Sequence, residues 1–276
     1  MPEKEIELQT SSFNKLRALI HQKTGITVAD NRRGLLQSRL RGRLRETQED
    51  SFTSYLDRVA KDANELQELI DRITTNETYC YRTPRIWDFF RDTFLPEFCD
   101  KKLPRPMRAW SAASSTGEEA HTIGIFCEDQ RQTSSGFDYE VFGTDISSRV
   151  VRKAQEGRYV GKAIARLQRE QPTLFERHMT GDKDAGFAVK PEIKSRLTFK
   201  LHNLIKPLGP SQKFDIVFLR NVLIYFSAEE QERILRNVAR QMQPDAYLII
   251  GESESLTRLD TAFQQVSPLI YSLETG

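Results

Sequence analysis

In Trp110-Ser-Ala-Ala-Ser-Ser-Thr-Gly-Glu-Glu119, a short apolar run (Met107 to Trp110) gives way to near-minimal side chains. From Glu118 a helical apolar pattern begins, carrying Ile123, Ile125 and Phe126. A strand, a turn of small residues and a helix in succession let a backbone approach a nucleotide-like ligand closely. The string holds one glycine and does not match GxGxxG, so alone it is a weak signal. A second strand, Tyr139-Glu-Val-Phe-Gly-Thr-Asp145, sharpens it by ending in an acid about 25 residues later. That is where a ribose-binding carboxylate sits in dinucleotide-type folds.

The chain has 276 residues, enough for one large domain or two smaller ones. Its net charge of +2 makes no whole-molecule case for a nucleic-acid partner, so any polyanion argument rests on local patches. Cys80, Cys99 and Cys127 have no CxxC or other ligand spacing, and four histidines are scattered. A disulfide scaffold and a metal site are therefore not expected. No apolar run approaches the ~20 residues of a membrane span, and Met1–Thr10 lacks an apolar signal core. The expectation is a cytoplasmic protein without direct membrane insertion.

Up to about residue 100 the pattern is helical. Phe13, Leu16, Leu19 and Ile20 share a face, as do Leu36, Leu40 and Leu44, and then Leu66, Ile70 and Ile73. Ser51 and Asp62 are candidate helix caps, and Trp87, Phe90 and Phe94 form a last stripe. Lys101-Lys-Leu-Pro-Arg-Pro106 reads as a linker or domain edge. The expected division is residues 1–100, a helical domain, and 101–276, an α/β domain. In the second part, apolar runs at 108–113, 139–144, 197–201, 214–219, 246–250 and 269–273 alternate with helical patterns at 118–130, 147–155 and 228–242. Such alternation predicts a mostly parallel sheet with helices on both faces. A β-hairpin around Gly181–Gly186 interrupts the rhythm, as an insertion spanning about 160–196.

Four further strings complete the pattern. They are Thr74-Thr-Asn-Glu-Thr-Tyr-Cys-Tyr-Arg82, His202-Asn-Leu204, Phe214-Asp-Ile-Val-Phe-Leu-Arg-Asn-Val-Leu-Ile-Tyr-Phe226 and Gly251-Glu-Ser-Glu-Ser-Leu256. With the Ser-Thr-Gly-Glu-Glu turn and Gly143-Thr-Asp145, the chain resembles the CheR family of chemotaxis receptor methyltransferases, in order from about residue 12 to its end. The resemblance implies a small all-α domain covering a Rossmann-like, S-adenosylmethionine-dependent methyltransferase domain with an inserted small β-subdomain. The sequence departs from the family at Tyr79-Cys80, at Ala120-His121 in place of a frequent Pro-Tyr, and at Leu219. His121 is thereby placed at the pocket rim.

The resemblance assigns cofactor contacts to Asn76, Thr78, Arg82, Ala112, Gly117, Glu118, Glu119, Asp145, Asn203, Leu204, Arg220 and Asn221, and catalytic roles to Arg82 and Tyr225. Each has a plainer reading. Gly117 suits any tight strand-to-helix turn, and Glu118 and Glu119 suit the positive end of a helix; by resemblance one of the two holds the cofactor. Asp145 suits a cap for the helix from Ser147, although a carboxylate can also accept from both vicinal ribose hydroxyls. Asn76, Thr78 and Arg82 suit a helix end and loop, and by resemblance Arg82 pairs with the cofactor carboxylate. Arg220-Asn221 and Asn203-Leu204 follow strands, where ligands bind in such sheets. The faces of Tyr79, Tyr81 and Tyr225 are candidates to stabilise a sulfonium.

From Asn31 to Arg45 stand six arginines and no acid. Arg32, Arg39 and Arg43 line one edge of the leucine stripe, either as a solvated face or as a dock for an acidic partner. The function expected is methylation of chemoreceptor glutamates in their cytoplasmic helical region, giving methyl esters and S-adenosylhomocysteine, by a monomer. The alternatives are a nucleic-acid methyltransferase, which the absence of an Asp/Asn-Pro-Pro-Tyr motif disfavours, and a non-catalytic cofactor-binding module.

Overall fold

The computed structural model describes residues 6–209 and 213–273. Four helices come first: α1 (Thr10–Thr24), α2 (Arg33–Glu46), α3 (Phe52–Lys61) and α4 (Ala63–Ile73). The Ser51 hydroxyl accepts from the Ser54 N–H at 3.1 Å, and the Asp62 carboxylate accepts from the Asn64 N–H at 2.8 Å. Both satisfy amides that a first helical turn leaves without partners. Leu36, Leu40 and Leu44 turn inward onto Phe13, Leu16 and Ile20 and onto Tyr55 and Val59, closing a small core. Leu40 is fully buried there, so truncating it to alanine would cost about 2–5 kcal/mol. Gly25 ends α1 at φ 76°, and a Cβ on it would lie 2.6 Å from the Ile205 side chain, so glycine alone lets α1 end against the second domain.

The cores divide after α4, earlier than the boundary near residue 100 that composition suggested. Helices α5 (Pro84–Phe89) and α6 (Leu95–Asp100) are joined by a π-helical turn at Phe90–Phe94. Their inner face belongs to the sheet: Trp87 stacks on Phe126 at 5.7 Å and on Phe218 at 5.6 Å. An amphipathic stripe shows that a helix has a core to face but not which core, and this one faces the α/β domain. The Lys101–Pro106 stretch is accordingly a loop within that domain, held where Arg105 pairs with both oxygens of Asp215 at 2.6 and 2.8 Å.

The main elements that follow are β1 (Met107–Ala112), α7 (Glu118–Thr133), β2 (Tyr139–Asp145) and α8 (Ser148–Glu156). Then comes an excursion of β3 (Arg158–Tyr159), α9 (Lys162–Glu170), α10 (Pro172–His178), β4 (Met179–Asp182), β5 (Gly186–Val189) and α11 (Pro191–Lys194). The chain closes with β6 (Leu197–Leu201), β7 (Phe214–Leu219), α12 (Ala228–Ala239), β8 (Met242–Ile250), β9 (Phe263–Ser267) and β10 (Ile270–Leu273). Among the described residues the large sheet runs β6-β2-β1-β7-β8-β10-β9. Its first five strands are parallel, and β10 is antiparallel to both neighbours. The insertion forms its own antiparallel sheet, β3-β5-β4. Strand β9 escaped the sequence reading because its middle is exposed and polar, with Gln264 and Gln265 giving no apolar alternation. The strand order reverses direction between β1 and β7, so a crevice opens at the carboxyl ends of the parallel strands.

Candidate functional site

A cleft of about 1090 Å³, its solvent-open mouth included, lies at that crevice. Residues just beyond β1, β2, β6 and β7 form its floor, and Ile26, Ile73 and the 74–79 connection of the helical part form its roof. Its size suits a ligand of cofactor dimensions, for which pockets run to about 300–1,000 Å³. Among the described residues no group of three or more His, Cys, Asp or Glu is arranged to hold a metal, and no helix is long and apolar enough to cross a membrane.

The turn after β1 brings Ala113, Ser114 and Ser115 to the cleft, while Ala112 is fully buried beneath it. Gly117 does not line the cleft either. It sits at φ 94°, and a Cβ there would lie 2.8 Å from Ala154 and 2.9 Å from the Tyr159 hydroxyl. Its role is to let α7 start tight against α8 and the insertion. The two acids that follow separate. Glu119 lines the cleft, accepting from the Ser111 hydroxyl at 2.7 Å and pairing with Arg220 at 2.8 Å. Glu118 is buried away from it, accepts from the Thr116 hydroxyl, and burial pushes its carboxyl pKa up.

Asp145 closes β2 with its carboxylate in the cleft wall, accepting from the Ser115 N–H at 2.9 Å and the Ser147 N–H at 3.0 Å. Burial raises its pKa, against the pull of those two amides. The cap of α8 comes from elsewhere. Asp71 of α4 accepts from the Ser148 N–H at 2.8 Å, the Ser148 hydroxyl at 2.7 Å and the Arg149 N–H at 3.2 Å. Burial opposes ionisation of Asp71, yet hydrogen bonds from Ser148 and Gln67 outweigh it and hold the carboxyl below its ordinary value. Asp71 therefore ties the helical domain to α8, and Asp145 is free of the first-turn amides that a helix cap would serve. The Asp62 cap and the Leu66, Ile70 and Ile73 stripe marked α4 in the sequence, but nothing there signals a cap that α4 supplies to a helix of another domain.

Arg82 projects from a backbone flanked by two left-handed residues, Tyr81 at φ 59° and Thr83 at φ 62°. Such conformations cost about 1–3 kcal/mol each and persist where surroundings over-determine them. Here the Cys80 N–H donates to the Ala163 carbonyl at 2.7 Å, the Trp87 indole to the Arg82 carbonyl at 2.9 Å, and Arg220 to the Thr83 hydroxyl at 2.9 Å. The Arg82 guanidinium lies 5.7 Å from the Tyr79 ring centroid. Asn76 and Thr78 line the same wall, and the Asn76 carbonyl accepts from the Ser115 hydroxyl at 3.0 Å.

Arg220, Asn221, Asn203, Leu204 and Tyr225 also line the cleft. The Asn203 amide donates to the Lys23 carbonyl at 3.0 Å, and the Tyr225 carbonyl accepts from the Thr27 N–H at 2.9 Å, so both reach the helical domain. Of the three tyrosines, Tyr79 and Tyr225 face the cleft. Tyr81 turns away, packing beside Trp87 and Phe126 while its hydroxyl accepts from Gln171 at 2.8 Å. His121 is not at the rim but buried under the insertion, with Nδ1 2.7 Å from the Tyr159 hydroxyl, and burial lowers its pKa to about 4.

The arginine helix splits in its roles. Arg43 turns inward and grips both oxygens of buried Glu65 at 2.9 and 2.7 Å, holding that carboxyl below its ordinary range. Arg39 donates to the Ile73 and Thr74 carbonyls and to the Thr75 hydroxyl, bracing the cleft roof. Arg32 is exposed. The expected three-arginine edge is thus one outward charge and two braces, because carbonyls and a buried acid on α4 compete for the other two.

Two family models match the chain: "CheR methyltransferase, all-alpha domain" over residues 11–74 and "CheR methyltransferase, SAM binding domain" over residues 76–271. They meet where the two cores divide. The chain is 31% identical over 273 residues to a chemotaxis protein methyltransferase of Borreliella burgdorferi, covering 96% of this chain and 95% of that protein. To one from Pseudomonas putida it is 32% identical over 260 residues, 92% and 94% of the two chains. For the Escherichia coli protein of the same description the figures are 31% over 271 residues, 97% and 92%.

Proposed function

The chain belongs to the CheR family of S-adenosylmethionine-dependent methyltransferases of chemotaxis, and we propose that it methylates side-chain glutamates in the cytoplasmic helical region of membrane chemoreceptors. The products are glutamate methyl esters and S-adenosylhomocysteine. The observation that carries this reading is the set of groups sharing one cleft: Asp145, Glu119, Arg82 and the rings of Tyr79 and Tyr225.

That set fits the cofactor's chemistry. The Asp145 carboxylate, already oriented by two amides, suits the ribose hydroxyls. Glu119 and Arg82 suit the amino and carboxylate groups of the methionyl part, and Asn203 and Leu204 the adenosine part. Asn76 and Thr78 close the wall from the helical side, while Arg220 and Asn221 line the cleft after β7. Ala112, Gly117 and Glu118 lie outside the cleft lining. S-adenosylmethionine supplies a methyl already activated on a sulfonium.

A glutamate carboxylate with a pKa near 4.3 is ionised at neutral pH, so no side chain need act as a strong base. The chain's work is to position and dry the nucleophile, and orientation is worth on the order of 7–11 kcal/mol. The reaction joins opposite charges into neutral products, so excluding water under the helical roof favours it. Tyr79 and Tyr225 present ring faces to the cationic centre. Arg32 is exposed on the helical domain, where it can meet acidic receptor helices. Neutralising a receptor glutamate changes repulsion between packed helices, which tunes the signal. Incubating receptor with the protein and cofactor, followed by peptide mass analysis, tests the site chemistry. Methyl gains must fall on glutamate-bearing peptides and vanish when those glutamates are glutamines; gains on other residue types would refute it.

A further inference from the structure

Glu254 lies in the loop after β8, buried and outside the cleft lining. Its carboxylate receives four backbone N–H groups. One oxygen accepts from Asn221 at 2.8 Å and Gly251 at 2.6 Å, the other from Val222 at 2.8 Å and Leu223 at 2.7 Å. Three consecutive amides converge on it because Asn221 adopts φ 58°, a conformation that asparagine tolerates better than most residues. Gly251 completes the arrangement. A Cβ there would lie 2.7 Å from both the Asn221 nitrogen and the Glu254 carboxylate, so no side chain fits between the loops.

From this geometry we infer that Glu254 is a positioning residue for methyl transfer, fixing the backbone that carries Asn221 and Tyr225 into the cleft. The inference rests on the cleft being the cofactor site. Leu223–Tyr225 forms a 3₁₀ turn directly after the held amides, and Tyr225 then pairs with Thr27 of the helical domain, so the hold reaches both walls. Glutamine could not replace the acid: its NH₂ would face two N–H donors and leave buried amides unpaired. A second acid in the same string, Glu252, is exposed and accepts instead from the Thr83 hydroxyl at 3.0 Å.

The test is a double-mutant cycle read by calorimetry with S-adenosylhomocysteine, which needs no receptor. Glu254→Gln should weaken binding about tenfold or more in the otherwise unchanged chain, but less than about twofold when Asn221 and Tyr225 are both already alanine. A general loss of structure would instead lower affinity equally in both backgrounds, and that result, or an unchanged affinity, overturns the inference. Should the variant not fold, hydrogen exchange on the unaltered protein decides. The amides of residues 221–223 and 251 must be protected like core amides, and exchange at loop rates would overturn the proposal. Failure of the unaltered protein to bind S-adenosylhomocysteine would count against the cleft assignment itself.

Discussion

Asp145→Ala separates the two readings of the acid at the end of β2. The carboxylate is buried and accepts from the Ser115 and Ser147 amides, so it lies in the cleft wall already oriented. Hydrogen bonds to a charged acceptor contribute about 1.5–3 kcal/mol each, but water entering the vacated space recovers part of that. The net loss should be about 1–3 kcal/mol, or roughly 5- to 150-fold in Kd for S-adenosylhomocysteine at ~1.4 kcal/mol per decade. Titration calorimetry measures it directly, with circular dichroism checking that the fold survives. A pH series adds a sign. Burial raises the Asp145 pKa, so protonation removes the acceptor early, and affinity should fall as pH drops through that raised value. The effect on the free protein is opposite. A folded-state pKa above the unfolded one gives stability that is present at low pH and lost as pH rises through the folded value. Asp145 thus costs the empty protein stability at neutral pH. Wild-type affinity in Asp145→Ala, with no pH dependence, would reduce the acid to a structural turn residue.

Arg82→Ala should lower turnover at saturating cofactor at least about tenfold more than Arg236→Ala on the outer face of α12, since only Arg82 lines the cleft. Arg43→Ala leaves buried Glu65 with only the looser contact to Arg58 at 3.8 Å, and chemical denaturation should show a loss of about 2 kcal/mol, below the ~3–5 of a fully buried pair because Arg58 remains and Arg43 keeps some solvent. As Arg43 depresses the Glu65 pKa, the pair's contribution is present above the ordinary carboxylate pKa and lost as pH falls through the depressed one; acid unfolding of the variant should reflect its absence. Arg32→Ala should leave the melting temperature unchanged while raising KM for receptor. The difference from wild type should shrink with added salt as the Debye length falls toward about 8 Å.

The α/β class was legible because the parallel strands are buried on both faces and read as apolar runs, Phe214–Leu219 most clearly. The place of Asp145, Asn221 and Arg82 at the cleft was legible because polar groups just after such strands, or in a string matching a family, have few other reasons to be there, whereas the sequence left open which of Glu118 and Glu119 faces it. Three kinds of feature were not. Helix α5 carries an apolar stripe that fits either core, so the domain edge was misplaced. Arg39 and Arg43 look outward in a helical projection, yet long side chains bend toward carbonyls and acids that only the tertiary fold supplies. Asp71 and Glu254 act on backbone amides far away in sequence, and an amide's partner leaves no mark on the residue that bears it.

Incubation with labelled S-adenosylmethionine and receptor-containing membranes tests the central claim most directly, with alkali treatment of the labelled product as the readout. Glutamate methyl esters hydrolyse in mild alkali, so the account predicts receptor-bound label that is released as volatile methanol, and label incorporated at least about tenfold more slowly when Arg82 is alanine. Label that stays on the receptor through alkali, or that appears on nucleic acid instead, would contradict it.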